Sequence, residues 1–219
     1  NVFKSVDGGS TWQASSSGIP DYSEMCRSDC IVFDPDDSTT LYVGSTGGIY
    51  KSINSGQSWN PIGTLLEDNE TKTIRAWSLA ISPLDGTLYA GGYGFLFGGD
   101  AGGGLYRSKD NGSTWERLTQ GAPTDPTFHE IVVPSNAPHI VYAGGDGGIF
   151  KSLNSGDTWQ SLNGSFATTP TVKSVAVDPF DSQVVYIGIQ GLGGGIYKTT
   201  NGGNSWTPIG TGLGTNDVR

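Results

Sequence analysis

With twelve Lys and Arg against twenty-one Asp and Glu, this 219-residue chain carries a net charge of −9 and repels a phosphate backbone overall, which argues against a nucleic acid partner. Thirty-five glycines and eleven prolines make it turn-rich, but 35% hydrophobic content with six tryptophans exceeds what a disordered chain carries, so it is expected to fold. No run of eighteen apolar residues is present to insert in a bilayer, and the opening "NVFKSVDGG", with no initiator Met, reads as a processed form or a piece of a longer polypeptide.

The first element is an apolar pair, Val2-Phe3, leading into "KSVDGGSTW" at 4–12. The oxygen of Asp7 can accept main-chain N–H groups further along, and a glycine two residues on can take a positive φ, so the segment predicts a tight turn between two strands. A polar stretch over 14–29 ends in "SEMCRSDC". Cys26 and Cys30, if bridged, close a small loop worth about 2 kcal/mol and imply an oxidising compartment. The alternative is two thiols at the start of a strand. Neither histidine is near them in sequence, so no metal site is expected.

Next, "CIVFDPDDSTTLYVGS" (30–45) predicts two antiparallel strands about a Pro-Asp turn, and "KSINSGQSW" (51–59) repeats the opening turn with Asn54 for aspartate. Residues 62–74 read as a long loop; its Glu67, Asp68 and Glu70 are loop acids, and Asn69 heads a glycosylation triplet, as do Asn111 and Asn163 elsewhere. The strand pair recurs in "SLAISPLDGTLYAGG" (78–92), "EIVVPSNAPHIVYAGG" (130–145) and "SVAVDPFDSQVVYIGI" (174–189). The turn recurs in "RSKDNGSTW" (107–115), "KSLNSGDTW" (151–159) and "KTTNGGNSW" (198–206). Its tryptophans, Trp12, Trp59, Trp115, Trp159 and Trp206, are spaced by 47, 56, 44 and 47 residues.

Four short strands per repeat is the blade period of a β-propeller. The expected fold is all-β: four-stranded antiparallel blades in a single domain over 1–219, four of them complete and a fifth split between the termini, where "GTNDVR" resembles the start of an inner strand. Either such a five-bladed ring closes imperfectly or further blades or domains of the same protein lie outside the chain, and the second is the expectation.

With strands lettered A (inner) to D (outer), the repeated turns fall on the C–D face, and the variable loops fall on the other. Aligned inner strands place Asp29, Trp77, His129, Lys173 and Arg219 at one equivalent position around a central mouth. Tyr93 and Phe95 in the long loop "GGYGFLFGGDAGGG" (91–104) add aromatic faces beside Trp77, suited to a sugar ring or a protein side chain. The plainer readings are a solvated funnel and a "YGFLF" segment folded back over its own blade.

The repeated turn resembles the Asp-box, or bacterial neuraminidase repeat, Ser-x-Asp-x-Gly-x-Thr-Trp. The match is full at Ser5, Asp7, Gly9, Thr11, Trp12 and at Ser108, Asp110, Gly112, Thr114, Trp115; Asn54, Asn154 and Asn201 replace the acid elsewhere. A carboxylate so freely exchanged for an amide is a turn cap and not a catalyst. The box implies sialidases, xyloglucanase-type family 74 glycoside hydrolases, sortilin ectodomains or photosystem assembly factors, and the wording here is nearest to family 74 and the assembly factors. Arg27, Arg75 and Arg219 lie near inner-strand starts as a sialidase would want, but Arg-Ile-Pro is absent. Two carboxylates about 5–9.5 Å apart, such as Asp29 with Glu130, would serve glycoside hydrolysis; no family catalytic position matches. The expectation is a non-catalytic extracellular or periplasmic propeller that acts as a binding or structural scaffold, with a protein or glycan ligand on the variable-loop face and no cofactor. The alternative is a fragment of a polysaccharide-degrading enzyme.

Overall fold

The computed structural model describes residues 2–20, 28–45, 47–67, 69–92, 101–122, 127–191 and 194–210, with the side chains of Ser28 and Asp29 also left aside. Strands β1 (Phe3–Lys4) and β2 (Gln13–Ala14) pair antiparallel around the first box. Then come β3 (Ser28–Phe33), β4 (Leu41–Ser45), β5 (Gly48–Ser52) and β6 (Asn60–Pro61), hydrogen-bonded in that order as one four-stranded sheet. After a hairpin of β7 (Thr64–Glu67) and β8 (Glu70–Thr73), the same up-and-down sheet is built three more times. The second holds β9 (Ala76–Ile81), β10 (Leu88–Gly92), β11 (Gly104–Ser108) and β12 (Glu116–Leu118). The third holds β13 (Phe128–Val132), β14 (Val141–Gly145), β15 (Gly148–Ser152) and β16 (Gln160–Ser161). The fourth holds β17 (Thr171–Val177), β18 (Val185–Gln190), β19 (Gly195–Thr199) and β20 (Thr207–Pro208).

This is the all-β arrangement of propeller blades, four complete and a fifth present as its outer pair β1–β2. The segment "GTNDVR", expected to start an inner strand, lies outside the described residues. One segment departs from expectation. Residues 62–74 contain the β7–β8 hairpin, because Asn69 takes a positive φ of 62° at the tip and alternate side chains of Thr64–Glu67 turn inward, burying Leu65. Glu67 there is held by Lys72 at 3.0 Å and Arg117 at 3.2 Å; the Lys72 hydrogen bond draws its carboxyl below the usual range.

Each box is closed by its own polar atoms. Asp7 Oδ1 accepts from Ser5 Oγ (2.8 Å) and Thr11 N (2.9 Å), and Oδ2 accepts from Thr11 Oγ1 (2.7 Å). In the amide version Asn54 Oδ1 accepts from Ser52 Oγ and Ser58 N, while Nδ2 donates to Ser58 Oγ at 2.8 Å. Only that last bond changes direction, because a hydroxyl can give or take a hydrogen. Asn154 with Thr158 and Asn201 with Ser205 repeat the reversed bond. Asp110 makes the acid set of bonds, accepting from Ser108 Oγ, Thr114 N and Thr114 Oγ1.

Four apolar clusters fill the four joints between successive sheets. Val2 and Ile19 pack on Leu41, Val43, Tyr50 and Trp59; Tyr42 and Ile49 meet Leu79 and Leu88; Tyr89 and Leu105 meet Ile131 and Val141; Tyr142 and Ile149 meet Val175 and Val185. Fully burying one such side chain contributes about 1.5–3 kcal/mol. The box indoles join the same seams: Trp59 Nε1 donates to Ser15 O, Trp115 Nε1 to Ile62 O and Trp206 Nε1 to Leu162 O, each in the preceding sheet, while Trp159 donates its main-chain N–H to Gln120 O. Polar latches run the other way along the seam. Lys4 Nζ reaches Ser55 O, Arg107 reaches Ser155 O and Asp157, and Lys151 reaches Gly202 O, each in the following box.

Candidate functional site: a mouth built on β-bulges

Each of the four described inner strands breaks register with its neighbour at one place. The shift falls between Ser28 and Cys30 on β3, between Ala76 and Ser78 on β9 opposite Gly92 and Gly91, between Phe128 and Glu130 on β13, and between Val172 and Ser174 on β17. The extra residue in each case is Asp29, Trp77, His129 or Lys173. These are the four described positions that sequence alignment of the inner strands made equivalent. A bulge adds an unpaired residue, bends its strand and re-aims a side chain, and such features gather beside binding sites. The boxes lie at the other end of the sheets: Ser155 N and Gly202 N bond to His139 O and Gln183 O of the A–B turns there.

Three of the four bulged side chains touch in succession. The rings of Trp77 and His129 meet edge to face with centroids 5.7 Å apart, and Lys173 Nζ lies 2.7 Å from His129 Nε2. Asp146, in the β14–β15 turn, completes the group with Oδ1 at 2.8 Å from the same Nε2 and 3.7 Å from Lys173 Nζ. One imidazole nitrogen cannot donate to the carboxylate and accept from the ammonium at the same moment, so the two bonds compete for His129. The turn carrying Asp146 is fixed by Asp146 N donating to Thr127 O and by Asn163, whose Oδ1 accepts from Ile149 N and whose Nδ2 donates to Gly147 O. The amide of that glycosylation triplet is thus committed to the turn.

Glu130 follows His129 on β13, and burial raises its carboxyl above the ordinary value. Asp29 keeps its backbone place on β3, but its side chain, with Tyr93, Phe95 and Arg219, lies outside the described residues. Cys30 is half-buried on β3 and Cys26 lies outside the described residues, as does any pairing between them. Asp146 was not singled out in the sequence; the available signal was its being the acid in the otherwise glycine-only turn "GGDGG" (144–148). Among the described residues no group of three or more His, Cys, Asp and Glu is placed to hold a metal ion, and no helix is long and apolar enough to cross a membrane.

Radial four-stranded sheets, sealed by Asp-boxes on one face and bearing a bulged mouth on the other, define an Asp-box β-propeller. The family described as Sortilin, neurotensin receptor 3 (Sortilin-Vps10) matches residues 103–216, more than half the chain, and the chain belongs to that family. Among solved structures it is similar to an ancestral GH74 enzyme, at 24% identity and a TM-score of 0.76, covering 98% of this chain and 29% of that one. It is similar also to the GH74 xyloglucanase from Xanthomonas campestris, at 20% identity and TM-score 0.67, covering 91% of this chain and 33% of that one. A third is YCF48 from Cyanidioschyzon merolae, at 17% identity and TM-score 0.59, covering 99% of this chain and 67% of that one. These likenesses bear on the fold alone, and the chain spans about a third or less of the two GH74 proteins. No curated protein matches the chain.

Proposed function

We propose that the chain is a non-catalytic, extracellular or periplasmic propeller module that binds a protein or glycan ligand at the bulged mouth. The observation that carries the reading is the run Trp77, His129, Lys173: an indole, an imidazole and an ammonium brought into contact by bulges on three successive inner strands. Such a set offers a flat apolar face beside a cation, which suits recognition by stacking and hydrogen bonding. The exposed carboxylate of the group, Asp146, is engaged by His129 and Lys173. Membership of the family described as Sortilin, neurotensin receptor 3, supports a binding role.

A second reading, a piece of a polysaccharide-degrading hydrolase, is favoured by Glu130, half-buried with a raised carboxyl pKa on the strand that carries His129. Titration calorimetry with xyloglucan and other β-glucan oligosaccharides, run beside a reducing-sugar assay on the wild type, Trp77→Ala and Glu130→Gln, separates the two. The binding reading expects saturable uptake without hydrolysis, weakened about five- to 150-fold by Trp77→Ala, which loses one stacking face worth about 1–3 kcal/mol. Hydrolysis abolished by Glu130→Gln establishes the enzyme reading. No uptake and no hydrolysis by any form removes glycans and leaves a protein ligand.

A further inference from the structure

The competition for His129 gains a chemical meaning beside the partners of the other lysines. Lys4 Nζ and Lys151 Nζ rest on the carbonyl oxygens of Ser55 and Gly202, and Lys72 Nζ rests on the Glu67 carboxylate. Oxygen acceptors of that kind leave the ammonium its protons. Lys173 Nζ lies 2.7 Å from His129 Nε2 and 3.7 Å from Asp146 Oδ1, so its nearest partner in the group is a nitrogen base and not the acid. A lysine placed only to pair with Asp146 would close on the carboxylate.

His129 also has a place to put a proton once it has taken one. As an acceptor, Nε2 faces Nζ; once protonated, the same nitrogen becomes a donor, and Asp146 Oδ1 at 2.8 Å receives its N–H. One nitrogen thus changes partner as it changes charge, and the amine lone pair is released. The turn carrying Asp146 is held by Asn163, which keeps the carboxylate in reach. Lys173 stays accessible, with its side chain 26% exposed, and the Trp77 indole against His129 brings an apolar wall to the group.

We propose that Lys173 is a carbonyl-capturing amine and that the mouth holds an aldehyde-bearing ligand as a reversible imine; the inference rests on the mouth being the ligand site. The aldehyde is carried by a small carbonyl compound or by the opened reducing end of a sugar. The step balances without an oxidant or a reductant. The ammonium gives a proton to His129 Nε2, and the freed nitrogen pair attacks the carbonyl carbon while the C=O π pair moves to oxygen. A proton shift from nitrogen to oxygen gives the carbinolamine. The imidazolium then returns its proton to that hydroxyl, which leaves as water as the nitrogen pair closes the C=N bond. Ammonium and aldehyde become iminium and water, and His129 ends as it began.

Reductive trapping of the full 219-residue chain tests it. Cyanoborohydride, which turns an iminium into a stable secondary amine, is added with glycolaldehyde in one arm and with a β-glucan oligosaccharide bearing its reducing end in the other. Peptide mass mapping reads the sites, with the exposed Lys109 as internal reference. Lys173 is expected to be labelled at least about tenfold faster than Lys109, since a positioned base contributes about 10²–10⁴-fold. The arm in which this holds identifies the carrier of the aldehyde. His129→Gln, which removes the base, is expected to bring Lys173 down to the rate of Lys109, and Lys173→Arg to lose the fast site with Lys109 unchanged. Circular dichroism checks the fold, and His129→Asn replaces His129→Gln if that variant fails. Labelling of wild-type Lys173 no faster than Lys109 in both arms overturns the proposal by itself. So does fast labelling that survives loss of the imidazole, which is exposure alone. Neither result touches stacking of an unmodified ligand on Trp77, which the calorimetry reads separately.

Discussion

Asp7 and Asn54 do the same work with different charge, and their difference is measurable. The bonds from Thr11, first by its hydroxyl and then by its main-chain N–H, draw the Asp7 carboxyl down from 3.8 to about 2. A carboxyl lowered in the folded state favours folding above its unfolded value, and that contribution is lost as pH falls from about 4 toward 2. Carbon-detected NMR titration of the side chain is expected to give a midpoint near 2, and Asp7→Asn is expected to fold normally while losing this acid-linked step. A midpoint at the ordinary 3.8 contradicts the bonding described for the box. The box was legible in the sequence because all its partners lie within nine residues. Asp146 was not, because its partners His129 and Lys173 come from two other strands, and only the folded chain brings them to it.

Among elements, the joints impose a second glycine that the box pattern does not contain. Gly18 and Gly121, each six residues after a box tryptophan, have positive φ, and a Cβ on either would lie 2.1 Å from the main-chain oxygen of Trp59 or Trp159 in the next sheet. Backbone cannot swing aside as a side chain can. Gly121→Ala is therefore expected to cost about 2–4 kcal/mol in urea unfolding, from overpacking added to backbone strain. Gly8→Ala, at φ 70° with nothing within 4 Å, is expected to cost only the strain, about 1–2 kcal/mol. Equal costs for the two contradict the close approach. The signal was present as "SGIP" (17–20) and "QGAP" (120–123), outside the repeat as read. The bulges were half legible: alignment found Asp29, Trp77, His129 and Lys173 equivalent, but an extra residue shows only against the partner strand. The β7–β8 hairpin was missed because its charged tip, Glu67 to Glu70, reads as loop, while Leu65 alone supplies its buried contact.

Over the whole molecule, each sheet is too thin to stand alone and is stabilised by its neighbours, which is the behaviour of a repeat array. The apolar clusters span adjacent sheets, and the indoles, Lys and Arg latches and tyrosine hydroxyls cross the same seams. Burial pushes the phenols of Tyr42, Tyr89 and Tyr142 up to about 12, so they stay protonated donors; Tyr89 gives its proton to Ser155 O and Tyr142 to Ser182 O, both in the next sheet. Blade architecture was fully legible because the period is written in turns and tryptophans. Which faces are covered was not, since exposure depends on the neighbour. The box face is thus fixed by stability.

The direct measurement is equilibrium urea unfolding of five single variants, Trp12→Ala, Trp59→Ala, Trp115→Ala, Trp159→Ala and Trp206→Ala, at dilute concentration. If the boxes are joints between successive sheets, the last four each lose about 3–5 kcal/mol, the cost of emptying a buried aromatic site, and Trp12→Ala loses less than about 0.5 kcal/mol. Five equal losses, or four variants as stable as the wild type, would contradict it.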